Sequence, residues 1–239
     1  MLSKSQIKLI TSLKQKKYRQ QHGLFVVEGI KTISELLQSN LELHKLYTTE
    51  TFNIDAKDEA IISESDLKRI SFLTTPNKAL AVFKTPESKP IDDSGLIVAL
   101  DAVRDPGNLG TIIRLCDWFG VKDLVCSKET VDCFNPKVIQ ATMGSITRVN
   151  ISYLDLASFL KTINLPVYGA FMEGENIYKK EELLKKGILV MGNEANGVSK
   201  EVEDLISEKV SIPRFGELQA TESLNVATAT AILLSEFRR

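Results

Sequence analysis

The sequence has few of the residues that mark secreted, disulfide-linked or metal-binding proteins. It holds three cysteines, Cys116, Cys126 and Cys133, and two histidines, His22 and His44, among 239 residues. The odd number and the spacing of the cysteines match no zinc-binding pattern. We therefore expect no metal site, and we expect reduced thiols that are buried or idle in a cytoplasmic protein.

Long apolar runs are also missing. No apolar segment approaches the roughly 18 residues that a helix needs to cross a bilayer. The first 21 residues lack the apolar stretch and small-residue cleavage site of a secretory signal. The prediction is a protein without a membrane segment, long enough for one large α/β domain or two smaller ones.

Charge is balanced over the whole chain but uneven along it. Lysine and arginine total 30 against 31 acidic residues, and this near-neutral balance alone argues weakly against nucleic-acid binding. Residues 1–22, however, contain six basic residues and no acidic one: Lys4, Lys8, Lys14, Lys16, Lys17 and Arg19. Such a segment suits contact with phosphates, and a solvated helix face is the alternative.

The first section of the chain reads as a small mixed α/β unit. Residues 5–21 predict one short amphipathic helix, because Ile7, Ile10 and Leu13 are spaced three apart. Residues 84–95 hold two prolines and a glycine and are the best linker candidate, so the predicted domains are residues 1–88 and 94–239. The other predicted elements here are strands at Leu24–Glu28, Leu43–Thr48, Ala60–Ile62 and Ala79–Phe83, and helices at Ile30–Gln38 and Ser65–Ile70.

From Leu96 onward, strands alternate with helices, which predicts βαβ units and a parallel sheet. Leu96–Leu100 is a continuous apolar run, typical of a parallel strand covered on both faces. The other predicted strands are Asp123–Ser127, Val149–Tyr153, Val167–Phe171, Ile188–Gly192 and Lys209–Ile212. The predicted helices are Asn108–Phe119, Pro136–Met143, Leu156–Ile163, Glu181–Lys185 and one from about Ser223 to Phe237.

Ligands of open α/β sheets bind beyond the carboxyl ends of the strands, so the loops after the strands are where a site is expected. The first such loop, residues 101–114, reads DAVRDPGNLGTIIR. Asn108 is predicted as the N-cap of the following helix, which is a structural role. Arg114 is predicted on the same general side of that helix, and an arginine among apolar neighbours is a candidate for chemistry unless it lies on a solvated face.

Two more segments follow later strands. Residues 189–199, LVMGNEANGVS, place Asn193 and Glu194 after Gly192, which would let a ligand or another backbone approach closely. The segment is neither a dinucleotide fingerprint nor a P-loop, and an ordinary strand-to-helix loop is the alternative. In residues 212–236, IPRFGELQATESLNVATATAILLSE, Ser223 could be an N-cap, and Asn225 would lie one turn inside the helix, where asparagine is unfavourable.

The segments NLGTIIR, LVMGNEANGVS and IPRFGELQATESLNVATATAILL resemble, in order and position, the three signature motifs of the SpoU/TrmH RNA 2′-O-ribose methyltransferases of the SPOUT superfamily. The resemblance runs from Leu96 to the C-terminus, about three fifths of the chain. Ala195 departs from it, since many members carry glycine there, and Ala220-Thr221-Glu222 is looser than the commonest versions.

The resemblance implies a parallel-sheet α/β methyltransferase domain with a deep trefoil knot, preceded by a small α/β RNA-binding domain that is similar to a ribosomal protein. It implies a homodimer with the site near the subunit boundary. It also implies S-adenosylmethionine as cofactor, bound in a bent shape mostly by backbone at Met191, Gly192, Ile212 and Leu224.

The same resemblance implies five catalytic residues: Asn108, Arg114, Glu194, Ser223 and Asn225. Because arginine stays protonated, Arg114 would be either an unusual base or a clamp on phosphate and developing alkoxide. Asn108 would orient Arg114 or the ribose, and Glu194 would be the acidic partner near the sulfonium. Ser223 and Asn225 would complete the hydrogen-bond set, and no metal is required.

The expected reaction is methylation of a ribose 2′-hydroxyl in ribosomal RNA, with transfer RNA as the alternative substrate. One competing reading is a non-catalytic RNA-binding or ribosome-assembly protein on the same fold. A second is a knotted enzyme that methylates a base, although NLGTIIR favours ribose. A third is another nucleotide-binding α/β enzyme, which the missing phosphate loops disfavour.

Overall fold

The computed structural model describes residues 2–180, 185–216 and 223–239, which form two compact units. The N-terminal unit comprises Met1–Glu87 together with Asp132–Thr147, and the C-terminal unit comprises Ser88–Val131 together with Arg148–Arg239. The segment 132–147 is where these units differ from a simple division near residue 90. No helix of the described ranges is long and apolar enough to cross a membrane.

The N-terminal unit contains a four-stranded sheet in the order β1-β4-β2-β3. The β2–β3 pair is parallel and the other two pairs are antiparallel. The strands are β1 (Leu24–Glu28), β2 (Leu43–Thr48), β3 (Glu59–Ile61) and β4 (Ala79–Lys84). The helices are α1 (Lys4–Ser12), α2 (Lys16–His22), α3 (Ile30–Leu37), α4 (Glu64–Ile70) and, from the inserted segment, α6 (Pro136–Thr142), which packs on β1.

The single helix predicted over residues 5–21 is wrong, because the structure has two. A capping box between Ser3 and Gln6 starts α1, which ends at Ser12. At the break, the carbonyls of Leu13 and Lys14 accept hydrogen bonds from Arg19 Nη1 at 2.8 and 2.9 Å. A side chain therefore satisfies the carbonyls at the break, a contact that apolar periodicity does not reveal.

The C-terminal unit contains a six-stranded sheet in the order β10-β8-β9-β5-β6-β7, with every neighbouring pair parallel. The strands are β5 (Leu96–Leu100), β6 (Asp123–Ser127), β7 (Asn150–Leu154), β8 (Val167–Asn176), β9 (Gly187–Met191) and β10 (Glu208–Ser211). The helices are α5 (Pro106–Trp118), α7 (Leu156–Thr162), α8 (Lys200–Glu203) and α9 (Val226–Phe237). The helix predicted at Glu181–Lys185 falls almost entirely on residues 181–184, outside the described residues.

Burial explains the apolar runs. All five residues of β5 and all five of β9 are buried, as expected for central parallel strands. On one face, Ile97 and Val190 join an apolar cluster that also contains Leu156 and Val202 from α7 and α8. Helices α5 and α9 pack against each other. The covered faces leave the ends of the strands as the place where polar loops can form a site.

Two predicted helix starts are wrong, and both errors concern asparagines of the motifs. Helix α5 begins at Pro106 with Asp105 as N-cap, and the Asp105 carboxylate accepts from the Asn108 backbone N–H at 2.8 Å. Proline suits the first helical position because it lacks the donor that would be unsatisfied there. Helix α9 begins at Val226, so Ser223 lies outside it and Asn225 is its N-cap instead of an interior residue.

Candidate active site

A cavity of about 810 Å³ lies in the C-terminal unit, beside the ends of β9 and β10 and the start of α9. Its volume is within the roughly 300–1,000 Å³ typical of small-ligand pockets. The lining includes Met191 and Gly192 at the end of β9, Ile212 after β10 and Leu224 before α9. These are the four residues that the resemblance assigns to the cofactor, and the structure brings all four to one cavity.

The loop after β9 is a tight turn that requires glycine at its base. A Cβ on Gly192 would lie 2.4 Å from the backbone of both Gly197 and Val198, closer than real contacts allow. Asn193 and Gly197 exchange two backbone hydrogen bonds of 2.8 and 2.9 Å across the turn. The departure at Ala195 costs no strain, since its backbone is not in the left-handed region.

Three polar side chains from distant parts of the sequence form one hydrogen-bonded chain beside this cavity. Asn225 donates from Nδ2 to Asn108 Oδ1 at 2.8 Å, and Asn108 donates from Nδ2 to Glu194 Oε1 at 2.7 Å. The Asn225 oxygen is engaged as the cap of α9, where it accepts from the backbone of Ala227 and Thr228. The cap therefore fixes the orientation of both amides, so that the Asn108 amine group faces the Glu194 carboxylate.

Acidic side chains outnumber basic ones in the lining of the cavity, which includes Glu173, Glu194 and Glu203 against Lys209 and Arg214. Glu194 lines the cavity, its carboxylate accepts a hydrogen bond from an uncharged amide, and no salt bridge to it occurs among the described residues. The neighbouring Glu203 carboxylate accepts a hydrogen bond from the Lys209 ammonium, which lowers the pKa of Glu203. Lys209 also lies 4.5 Å from the centre of the Phe171 ring.

The remaining two candidate residues lie apart from this chain. Ser223 lines the cavity and is exposed. Arg114 is exposed on α5, about 120° around the helix from Asn108. Within the described parts of a single chain, no hydrogen bond or ion pair joins Arg114 to Glu194 or Asn225. Trp118, one turn later on the same face of α5, is 83% exposed.

Sequence reasoning did not identify the contacts that hold the first two motif loops together. The buried Asp101 carboxylate accepts from the Ser199 backbone N–H at 2.7 Å. Asn193 donates to the carbonyl of Ala102 at 2.7 Å, and Ala102 has a left-handed backbone with φ of 56°. Strained non-glycine residues cluster at functional sites. An aspartate placed directly after a buried strand was the available signal for Asp101.

The part of the chain that the structure describes contains no set of ligands for a metal ion. No group of three or more histidine, cysteine, aspartate or glutamate side chains there could hold an ion. All three cysteines are buried, and none of them forms a disulfide. Burial raises the pKa of the Cys116 thiol, which keeps it protonated and unreactive.

The chain is thus an α/β protein of two units, with a cavity at the ends of strands of its parallel sheet. Known proteins resemble both units. The sequence profile of the SpoU rRNA Methylase family matches residues 95–235. The profile of the MRM3-like substrate binding domain matches residues 4–81. The chain is 30% identical, over 93% of its length and 92% of the relative's, to the 23S rRNA (guanosine(2553)-2'-O)-methyltransferase RlmP of Bacillus subtilis.

Solved structures agree over the full length. A protein of Porphyromonas gingivalis assigned to the TrmH family of RNA methyltransferases superposes with a TM-score of 0.90 at 39% identity, covering 100% of this chain and 98% of that one. An AdoMet-bound rRNA methyltransferase from Sinorhizobium meliloti gives 0.89 at 29% identity, covering 100% and 95%. The chain belongs to the SpoU rRNA methylase family.

Proposed function

We propose that this chain transfers the methyl group of S-adenosylmethionine to a ribose 2′-hydroxyl of ribosomal RNA. The enzyme class and the cofactor follow from family membership, and ribosomal RNA follows from the relatives named for 23S rRNA. The proposal depends on the cavity lined by Met191, Gly192, Ile212 and Leu224. Glu194 also lines this cavity and is hydrogen-bonded to Asn108, which in turn accepts from Asn225.

The residues of the cavity fit this cofactor. When bound, S-adenosylmethionine supplies an activated methyl group on a positively charged sulfonium. Gly192 lines the cavity at a tight turn that only a residue without a side chain permits, and Met191, Ile212 and Leu224 offer apolar surface. Glu194 places a negative charge at the wall, and Asn108 holds that carboxylate in position.

The substrate hydroxyl must be oriented and its developing negative charge stabilised. We assign this role to Arg114 as an electrostatic clamp on the alkoxide and the adjacent phosphate, because a guanidinium remains protonated and donates several hydrogen bonds. Ser223, exposed at the cavity, would complete the hydrogen bonds to the substrate.

Arg114 requires a second subunit in this proposal. It lies on an exposed face of α5 that also carries Trp118, and a tryptophan 83% exposed is typical of residues that become buried in an interface. A homodimer formed through this face would bring Arg114 to a site near the subunit boundary. The deep trefoil knot implied by the family also remains a proposal, supported by the insertion of β9 between β8 and β5 before the chain returns to the edge strand β10.

The test replaces Arg114 with alanine. We expect S-adenosylmethionine to bind the R114A variant with nearly unchanged affinity in isothermal titration, while methyl transfer to a 23S rRNA transcript falls by about 10²–10³-fold, the usual cost of losing one transition-state donor. Arg104→Ala, at another exposed arginine that lies just before α5, is the control and should retain activity. Normal turnover by R114A would refute the role of Arg114.

Mass spectrometry of the nucleosides then distinguishes the competing functions. A 2′-O-methylated nucleoside in ribosomal RNA supports the proposal, and a methylated base or methylation confined to transfer RNA contradicts it. Failure of the wild-type chain to bind S-adenosylmethionine would favour a non-catalytic RNA-binding protein.

A further inference from the structure

The basic residues near the N-terminus are concentrated at one loop. Lys14, Lys16 and Lys17 fall within four positions, and all three side chains are exposed. We call Leu13–Lys17 the lysine loop; it joins α1 to α2 and includes the first two residues of α2. No acidic residue occurs among the first 27 positions of the sequence, so the loop has no carboxylate neighbour along the chain.

Arg19 holds the lysine loop in one conformation. Its side chain is only 4% exposed, and its guanidinium donates to the carbonyls of Leu13 and Lys14. Its other edge donates to Asp132 Oδ2 from Nε at 2.9 Å and from Nη2 at 2.5 Å. Leu13 itself is fully buried in the apolar cluster of the N-terminal unit. The loop backbone is therefore fixed on the buried side, and its lysines face solvent.

Asp132 gives this arrangement a second anchor. It opens the inserted segment 132–147, which lies between β6 and β7 in sequence but belongs to the N-terminal unit. Phe134 of the same segment packs on Phe25 of β1, with ring centres 4.7 Å apart. The lysine loop is thus tied through Arg19 to a segment that is covalently continuous with the C-terminal unit.

Such a loop has the features of a phosphate contact. Clustered lysines repel one another, which favours an anionic partner over an empty surface. Lysine ammonium groups bind phosphates as point charges without a demand for base identity, so they position a nucleic acid instead of reading its sequence. Lys14 and Lys17 have no ion-pair partner among the described residues, although Lys17 lies 5.9 Å from the ring of Tyr18.

We infer that the lysine loop binds the phosphate backbone of the RNA substrate and that Arg19, through Asp132, positions it. The inference rests on the proposed function and extends it by naming a contact in the N-terminal unit, formed by residues other than those that line the methyl-transfer cavity. Its ligand class is a run of consecutive RNA phosphates.

The experiment compares RNA binding by variants of the full chain at several salt concentrations, with a 23S rRNA transcript as probe. Lys14, Lys16 and Lys17 are replaced together by alanine. Each phosphate contact contributes about 0.7 to the slope of log K against log salt on single strands, so we expect a slope smaller by about 2 and affinity lower by about 100-fold at 0.1 M salt. Affinity for S-adenosylmethionine should not change.

Two matched variants guard against simpler explanations. Lys57, Lys78 and Lys84 are also exposed lysines of the N-terminal unit, and each is paired with a carboxylate. Their joint replacement by alanine removes the same number of positive charges. That control should bind RNA nearly as the wild type does. Replacement of Lys14, Lys16 and Lys17 by arginine should retain the slope, because the charges remain.

Two outcomes are decisive, and they separate this inference from the proposed function. If the triple alanine variant, with an unchanged unfolding temperature, bound the transcript within about twofold of the wild type and kept its salt slope, the phosphate contact would be wrong even where methyl transfer is observed. If the lysines governed binding and the wild type transferred no methyl group, the contact would stand and the proposed function would fail.

Discussion

At the scale of single residues, the site depends on the direction of side-chain amides. Asn225 donates to the amide oxygen of Asn108, and the amide nitrogen of Asn108 is therefore directed at Glu194. Asn225 in turn can donate only because its own oxygen caps α9. A capping interaction at a helix start therefore determines the polarity of a hydrogen bond to a carboxylate at the cavity.

Asn108→Asp should disable the site while it preserves side-chain shape. The new carboxyl would face Glu194 Oε1, where the amide nitrogen now lies at 2.7 Å, and the two negative charges would repel. We expect methyl transfer to fall by about 10²-fold, the usual cost of one lost site donor. Like charges raise the pKa of one carboxyl, so activity should partly recover as pH falls and that group gains a proton.

A pH series of initial rates checks this expectation. Asn135→Asp is the control, because Asn135 only caps α6 and aspartate caps a helix equally well. A loss of activity that is independent of pH would contradict the repulsion and point to misfolding.

Replacement of Arg19 should lower the free energy of unfolding by a large amount. Arg19→Met would leave the Asp132 carboxylate, 14% exposed, without its cation, and removal of one partner of a buried pair typically costs about 3–5 kcal/mol. The double variant R19M/D132L should recover part of that loss, because no charge is then left uncompensated. Lys200→Met, at an exposed pair with Asp204, should change stability by less than about 1 kcal/mol. Urea unfolding measures all three, and equal effects of R19M and Lys200→Met would refute the claim.

At the scale of elements, strand and helix positions follow from sequence patterns, and their ends do not. The continuous apolar run of β5 predicted a central parallel strand, and the structure confirms it. Residues 5–21 predicted one helix because their apolar spacing is regular, whereas hydrogen bonds from Arg19 stabilise a break after Ser12. The starts of α5 and α9 were misplaced because aspartate, serine and asparagine are all good N-caps, and only the observed bonds identify the one that is used.

The turn after β9 gives a prediction at this scale. Gly192→Ala should shift the turn, because the new Cβ would lie 2.4 Å from two backbone atoms. We expect a destabilisation of about 1–3 kcal/mol, as for other overpacked sites. We also expect weaker binding of S-adenosylmethionine in isothermal titration, since Gly192 lines the cavity. Gly95→Ala, where a Cβ meets open space, is the control. Unchanged affinity and stability in G192A would contradict the close approach.

At the scale of the whole molecule, the proposed site takes residues from two subunits. Arg114 and Trp118 share an exposed face of α5, and no described residue of the same chain joins Arg114 to Glu194. Trp118→Glu should therefore place a charge in the proposed interface, convert a dimer to a monomer and abolish methyl transfer. Sedimentation equilibrium measures the first effect and a methyl-transfer assay the second. Trp118→Phe should preserve both. A fully active W118E monomer would refute the shared site.

The sequence by itself determined the family, the α/β class with its parallel sheet, and, through the three motifs, the enzyme class and the cofactor, all of which the comparisons confirm. These conclusions follow from sequence motifs and from apolar periodicity, which are properties of each segment by itself. The cytoplasmic location, the knot and the dimer stay predictions.

Only the tertiary structure decided which distant side chains meet. The Asn225–Asn108–Glu194 chain joins residues up to 117 positions apart, and segment 132–147 packs in the N-terminal unit although its sequence neighbours belong to the other. Neither contact follows from a sequence pattern. The folded sheet determines which remote segments meet, and the sequence of a single loop does not contain that information.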